Sequence, residues 1–89
     1  MNVKVQAKYS LPHGVRLRED KVRGGWVLLM AEHAIILSDT AREILQLCNG
    51  KSEEEIIHLL KARYPGQELE GDVKEFLGEA LQEKWIRLV

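Results

Sequence analysis

The side chains that most often do chemistry are few in this sequence: His13, His33, His58 and a single cysteine, Cys48. A structural zinc site usually needs four well-placed ligands, and these four residues do not have the spacing of the short zinc motifs. One cysteine also excludes an internal disulfide framework. The sequence therefore predicts no metal and no cofactor, with Cys48 as a buried thiol on a helix face.

Nucleophilic and carboxylate chemistry are equally poorly supported. No serine or cysteine lies in a recognisable nucleophile elbow, and the pair Gly24 and Gly25 lacks the lysine and the strand-to-helix context of a phosphate loop. The acidic run at 53–55 is typical of the first turn of a helix, where the dipole favours carboxylates. We therefore predict a binding or carrier protein and not an enzyme.

Length and composition agree with a small binding domain. The 89 residues are 45% hydrophobic and 30% charged, and a chain of this size buries about 60 to 65% of its unfolded surface. No apolar run approaches the roughly 20 residues of a membrane span, and residues 1–9 lack the apolar core of a signal peptide. We expect one soluble, cytoplasmic domain without membrane attachment.

Charge is distributed unevenly along the chain. Residues 1–30 contain six Lys or Arg and two Asp or Glu, whereas residues 31–89 contain seven and twelve. The front part is therefore +4, the remainder is −5, and the whole chain is −1. A basic front part attracts an acidic partner at long range, most strongly at low salt. An unevenly charged, solvated surface is the alternative.

The first part of the chain has the two-residue period of strands. Residues 1–14 are predicted as a flexible arm, with pairing as an edge strand as the alternative. Alternation from Val15 and the apolar runs at 26–30 and 34–37 predict three strands. Gly24 and Gly25 predict a hairpin between the first two. In a simple meander the third strand lies at an edge, with unpaired N–H and C=O groups.

After residue 37 the apolar period changes to 3.6, which is typical of helices. Three capping-box pairs predict three helix starts: Thr40 with Glu43, Ser52 with Glu55, and Asp72 with Glu75. Ser38 and Asp39 are alternative caps for the first helix. The first helix is expected to end at Asn49 and Gly50, and the second near Tyr64. The predicted fold is α+β: a small winged-helix-like domain over 15–89, in which a three-stranded antiparallel meander precedes a three-helix bundle.

A winged-helix order of elements also raises the question of nucleic-acid binding. The third helical region combines two lysines with four carboxylates: Lys74, Lys84, Asp72, Glu75, Glu79 and Glu83. Neutralisation of phosphates dominates DNA affinity, so this acidic helix is expected to be repelled from a groove. We predict no nucleic-acid partner. A winged-helix DNA-binding protein or a structural adaptor is the alternative function.

An exposed edge strand beside a helix can accept an extended peptide as an added strand. The predicted peptide-binding residues come from the third strand and the third helix: Ala34, Ile35, Ile36, Leu37, Val73, Phe76, Leu77 and Ala80. Burial in an ordinary core is the alternative for these apolar residues. The open edge and the arm would also permit a homodimer.

Two blocks of the sequence are specific when taken together: Arg-Gly-Gly-Trp at 23–26 and Leu-Cys-Asn-Gly at 47–50. With the closing pair Trp85 and Ile86, they make residues 15–88 similar to the PqqD family of pyrroloquinoline quinone (PQQ) biosynthesis. Ala31 departs from the family pattern, in which we expect a proline before Glu32.

The resemblance implies a non-catalytic peptide chaperone, of the type that recognises ribosomally made precursor peptides. Such a protein binds the precursor PqqA and presents it to the radical S-adenosylmethionine (SAM) enzyme PqqE, which crosslinks a glutamate to a tyrosine. It also implies that the peptide adds to the third strand and lies against the third helix. We further expect Arg16, Arg18 and Arg23 to attract acidic residues of the peptide by electrostatic steering.

Overall fold

The computed structural model describes residues 7–89, which form six strands and three helices. In chain order they are β1 (Lys8–Ser10), β2 (Arg16–Glu19), β3 (Trp26–Leu29), β4 (Ala34–Leu37), α1 (Asp39–Gln46), β5 (Asn49–Ser52), α2 (Glu53–Arg63), α3 (Glu70–Gln82) and β6 (Arg87–Leu88). The α+β class is confirmed. Across residues 7–89, every helix is too short or too polar to cross a bilayer.

Strands β2, β3 and β4 form the predicted antiparallel meander, in the order β2-β3-β4. Leu28 in the central strand pairs with Leu17 on one side and Ile35 on the other, and it is completely buried. Helix α1 packs against all three strands. One face of this sheet is therefore covered, and β4 forms one of its two edges.

The hairpin between β2 and β3 is the one predicted from the glycine pair. Gly24 and Gly25 have φ values of 81° and 85°, which a residue with a Cβ rarely adopts. The Asp20 carboxylate accepts the backbone N–H groups of Val22 and Arg23 at 3.1 Å each. The loop geometry is thus set by local chemistry, and the prediction is confirmed.

A second antiparallel sheet, in the order β5-β1-β6, was not predicted. Its central strand carries Tyr9, which pairs with Lys51 of β5 and Leu88 of β6 and is only 8% exposed. Removing this aromatic side chain from water holds β1 on the core. The flexible-arm prediction is wrong for residues 8–10, which form a paired strand. The alternative of an edge strand is also wrong, because β1 lies between β5 and β6. Residues 1–6 of the predicted arm lie outside the described residues.

Helix α1 begins two residues earlier than the Thr40 capping box requires, at one of the alternative caps. The Ser38 hydroxyl accepts the Ala41 N–H at 3.1 Å and is the N-cap. Thr40 lies inside the first turn, so it cannot cap, and the predicted box with Glu43 is wrong. Glu43 is instead buried by tertiary contacts.

Helix α2 has the capping box that the sequence predicted. The Glu55 N–H donates to Ser52 Oγ at 3.3 Å, and the Ser52 N–H donates to Glu55 Oε1 at 3.0 Å. Hydrogen bonding of the Glu55 carboxylate to the Ser52 backbone N–H, and then to the Ser52 side chain, favours the charged form and lowers the pKa of Glu55.

Helix α3 starts at Glu70, and its N-cap is Leu69, three residues before the predicted cap Asp72. Leu69 makes no side-chain cap bond. The Asp72 and Glu75 box is therefore wrong, because Asp72 is already inside the helix. The helix ends at Gln82, and Trp85, three residues further on, packs against the core as expected. The likeness to a winged helix stays a prediction.

Candidate functional site

Strand β4 is one of the two edge strands of the meander and pairs with β3 on one side. The Met30 N–H donates to the His33 carbonyl at 2.8 Å in the turn that precedes β4. Hydrogen-bonded pairs alternate along an antiparallel ladder, so Ile35 and Leu37 bond to β3. Ala34 and Ile36 therefore direct their N–H and C=O groups toward the open edge.

The two faces of β4 have different surroundings. Ile35 and Leu37 are half-buried on the inner face and pack against the core. Ile36 lies on the outer face, 76% exposed, and is paired with Val27 of β3. An isoleucine that exposed on an open edge is available to a partner, although a lone exposed apolar residue is common.

The outer face also carries two of the three arginines that were expected to attract the peptide, Arg16 and Arg18. Arg18 of β2 pairs with Val27, which pairs with Ile36, so the three residues form one row across the sheet. Neighbouring strands are about 4.8 Å apart, which places the Arg18 and Ile36 backbones roughly 10 Å from each other. Arg16 is exposed in the next row of this face, and Arg23 is exposed in the β2–β3 loop.

Helix α3 offers less apolar surface than the sequence suggested. Val73, Leu77 and Ala80 are at most 2% exposed and belong to the core. Phe76 is half-buried, and its ring lies 6.3 Å from that of Trp85, at an angle of 46°. Of the four predicted α3 residues, Phe76 is therefore the one with substantial surface free for a ligand.

A cavity of about 490 Å³ adjoins Phe76 and lies between α1, the end of α2 and the start of α3. We call it the α1–α3 cavity. It is lined by Ser38, Thr40, Ala41, Glu43, Ile44, Leu60, Tyr64, Gln67, Leu69, Asp72, Val73 and Phe76. Ser38 directly follows the last residue of β4, so the cavity begins where the open edge ends. Its volume falls within the range of small-ligand pockets.

Glu43 is the buried charged group of this cavity, with 9% of the residue exposed. The Tyr64 O–H donates to Glu43 Oε1 at 2.5 Å, which raises the pKa of Tyr64. The second oxygen, Oε2, accepts no hydrogen bond from any residue that the structure describes. Nη1 of the half-exposed Arg63 side chain lies 3.6 Å from Oε2. The carboxylate is thus held by one oxygen and under-satisfied at the other.

Comparison with known proteins identifies the family. Residues 25–86 match the family of Coenzyme PQQ synthesis protein D (PqqD), which is more than half of the chain. The chain belongs to the PqqD family.

Curated relatives support the same family. One from Methylococcus capsulatus, named PqqA binding protein, is 35% identical over 74 residues, which cover 82% of this chain and 80% of the relative. Another of the same name, from Kluyvera intermedia, is 38% identical over 76 residues, which cover 83% of each chain. The family resemblance inferred from the sequence is therefore confirmed.

A solved structure supports the PqqD fold. It is the solution NMR structure of the PqqD truncation of Methylobacterium extorquens PqqCD, described as a functional and stand-alone recognition element for ribosomally synthesized and post-translationally modified peptides. The TM-score is 0.73 at 33% identity, over 89% of this chain and 87% of that one. The edge strand and the α1–α3 cavity therefore belong to a PqqD-type domain.

Sequence reasoning missed the buried carboxylate of this PqqD-family domain. It assigned Glu43 to a helix cap and placed Tyr64 at the end of an apolar helix face. The residues are 21 positions apart and meet only after α1 and α2 pack. No local spacing signals such a contact, so the sequence offered nothing that could have found it.

The other chemistry-bearing residues of this PqqD-family chain do not gather into a site. His13, His33 and His58 are exposed. Burial raises the pKa of the Cys48 thiol to about 12, and the thiol donates to the Ile44 carbonyl at 3.3 Å. Within residues 7–89, no group of three His, Cys, Asp or Glu could hold a metal ion.

The acidic character of α3 is retained in the folded domain. Helix α3 contains four carboxylates and one lysine: Glu70, Asp72, Glu75, Glu79 and Lys74. All five side chains belong to exposed residues. Such a surface of this PqqD-family domain repels a polyanion such as DNA.

Proposed function

We propose that this protein is a non-catalytic chaperone of PQQ biosynthesis that binds the precursor peptide PqqA and presents it to the radical SAM enzyme PqqE. Family membership supports this, since relatives are named PqqA binding proteins and the similar solved structure is described as a functional recognition element. In this role the protein orders the peptide, and the enzyme performs the crosslinking.

The peptide binds by strand addition to β4, beside α3. The observation that carries this proposal is the open edge at which Ala34 and Ile36 direct their backbone groups outward. Main-chain hydrogen bonds would give affinity, and side-chain contacts on the two faces would give specificity. Of the eight predicted residues, the proposed contacts are Ala34, Ile35, Ile36, Leu37 and Phe76. Val73, Leu77 and Ala80 are buried and support Phe76 from the core.

The experiment that tests this mode replaces one backbone donor. In Ile36→Pro the outward N–H is lost, whereas Ile36→Thr shortens the side chain in a similar way and keeps the donor. Proline is tolerated on an edge strand where the N–H faces away from the sheet, and the preceding residue already has the extended conformation that proline favours. Thermal melting verifies that both variants remain folded.

Each variant and the unchanged protein are titrated with synthetic PqqA by calorimetry, with a random DNA duplex in parallel. We expect saturable one-to-one binding of the peptide, no response to DNA, and an Ile36→Pro affinity at least fivefold below that of Ile36→Thr. Equal affinities of two folded variants would exclude strand addition at β4. No binding of PqqA by the folded, unchanged protein would exclude the function itself.

Presentation to PqqE has its own measurement. Adding the protein to PqqE and PqqA should raise the yield of crosslinked peptide, and Ile36→Pro should raise it less. If the yield does not depend on this protein, the chaperone role is refuted even where PqqA binds.

A further inference from the structure

The α1–α3 cavity contains a carboxylate that the fold does not fully satisfy. Burying a charged oxygen without a hydrogen bond is costly, so such groups are normally paired. Tyr64 satisfies Oε1 of Glu43, but Oε2 has the Arg63 guanidinium at a distance too long for a hydrogen bond. Oε2 is itself covered, so a better donor would reach it by taking the place of the Arg63 guanidinium beside it.

The charged residues that line the cavity indicate which kind of group could donate to Glu43 Oε2. Glu43 and Asp72 are its two charged residues, and no lysine, arginine or histidine appears among the described residues that line the cavity. Ile44, Val73 and Phe76 add apolar wall. A cavity with carboxylates and apolar walls fits a long apolar stem that ends in a cation, which is the shape of a lysine or arginine side chain.

The position of the cavity connects it to the open edge. Ser38 lines it and follows β4 in the chain, and Phe76 belongs both to this lining and to the proposed peptide site. A chain that runs along β4 toward Ser38 therefore reaches the mouth of the cavity without leaving the surface.

We propose that the α1–α3 cavity is a subsite for one basic side chain of the peptide that adds to β4, with Glu43 Oε2 accepting from its cationic head. This inference rests on the proposed peptide-binding function. The stem lies against Ile44 and Phe76, and Asp72 attracts the cation at the mouth. Arg63 occupies the vicinity of Oε2 in the free protein and is displaced.

The test is a double-mutant cycle between protein and peptide. On the protein, Glu43→Gln removes the charge and keeps an oxygen that can accept from Tyr64. On synthetic PqqA, each arginine is replaced in turn by citrulline and each lysine by norleucine, which keep the apolar stem and remove the charge. As a matched control, Glu68→Gln removes the same charge from an exposed loop residue outside the cavity.

We expect that neutralising one basic residue of the peptide weakens its affinity for the unchanged protein at least tenfold, as measured by calorimetry. The same change should weaken the affinity for Glu43→Gln less than twofold. Truncating one member of a buried charge pair has effects of this size or larger. The Glu68→Gln control should respond to the peptide as the unchanged protein does. If no position shows this coupling while PqqA still binds, the subsite is refuted and the peptide-binding function stands.

Replacing Arg63 should change the peptide affinity in the opposite direction. Because it competes for Oε2, Arg63→Gln should strengthen peptide binding two- to fivefold at low salt. Weaker binding of Arg63→Gln would mean that Arg63 contacts an acidic group of the peptide, and it would overturn the assignment of a cation.

A measurement without the precursor separates the two proposals. N-acetyl-arginine amide, a blocked arginine, is titrated at millimolar concentration while the backbone amide signals of Thr40, Glu43 and Phe76 are followed by NMR. Saturable shifts that Glu43→Gln abolishes would support the cation subsite even where PqqA fails to bind. Absence of shifts, together with absence of coupling, would refute it.

Discussion

Replacing Ile36 by alanine tests whether this side chain binds the peptide or stabilises the fold. The side chain is 76% exposed, so about one quarter of its apolar area contributes to the folded state. Full burial of an isoleucine is worth about 1.5–3 kcal/mol, and Ile36→Ala should therefore destabilise the domain by about 0.5 kcal/mol. For a domain of this size, that lowers the melting temperature by about 2–4 °C.

An added peptide strand would cover much of the remaining three quarters. If it covers about half of the exposed area, the side chain contributes about 1 kcal/mol to binding, which corresponds to a roughly fivefold weaker affinity in Ile36→Ala. A contribution of about 1 kcal/mol is also the upper end of the range for one pair of side chains on neighbouring strands. Calorimetric titration with PqqA, alongside a thermal melt, measures both quantities on the same preparation.

Val22 provides the matched control for this substitution. It is a branched apolar residue, 96% exposed, in the loop between β2 and β3 and outside the proposed site. Val22→Ala should leave both melting and affinity unchanged. Should Ile36→Ala behave like Val22→Ala, with less than a twofold loss of affinity, the peptide does not cover the outer face of β4. A large loss of stability would instead show that Ile36 is structural.

Three further predictions follow from the structure. Charge reversal of Arg16 and Arg18, which are exposed on the outer face, should weaken PqqA binding at low salt and much less at high salt; equal affinities would refute steering. Tyr9→Ala should cost about 3–5 kcal/mol in urea unfolding, because a buried aromatic leaves a cavity; under 1 kcal/mol would remove β1 from the core. Burial raises the Cys48 pKa from near 9 to about 12, so between these pH values the folded state keeps a proton that the unfolded state loses. The free energy of unfolding should therefore fall as the pH rises from 9 to 12. Urea unfolding should show a smaller fall for Cys48→Ala, and the same fall in both proteins would contradict the prediction.

Local patterns were sufficient for the meander and for the helix that has a true capping box. Strand β4 has the predicted bounds of 34–37, because a short apolar run after a turn has few alternatives. Ser52 and Glu55 exchange the predicted hydrogen bonds since both partners lie within one turn of helix. The open edge followed from strand order alone, so the main element of the proposed site was accessible from the sequence.

The second sheet could not be predicted in the same way. Its strands have three, four and two residues, and β1 pairs with segments about 40 and 80 positions further along the chain. The Asn49–Ser52 segment of β5 is polar and contains the glycine that was interpreted as a helix end. Nothing in so short and polar a segment indicates pairing until Tyr9 brings β1 onto the core. The Glu43 and Tyr64 contact has the same long-range origin.

The two parts of the proposed site address different requirements of peptide recognition. Main-chain pairing along β4 has a period of two residues, so a peptide that slips by two residues keeps the same side chains on each face. Strand addition alone therefore gives affinity without a unique register. A cation held by Glu43 at the end of β4 would fix the register at one point, because a slipped peptide loses the ion pair. Neutralising that one basic residue should therefore let the peptide bind in several registers, which would appear as several sets of amide shift changes along β4. Truncating Ile36 should weaken binding but leave the single set of shifts that one register gives.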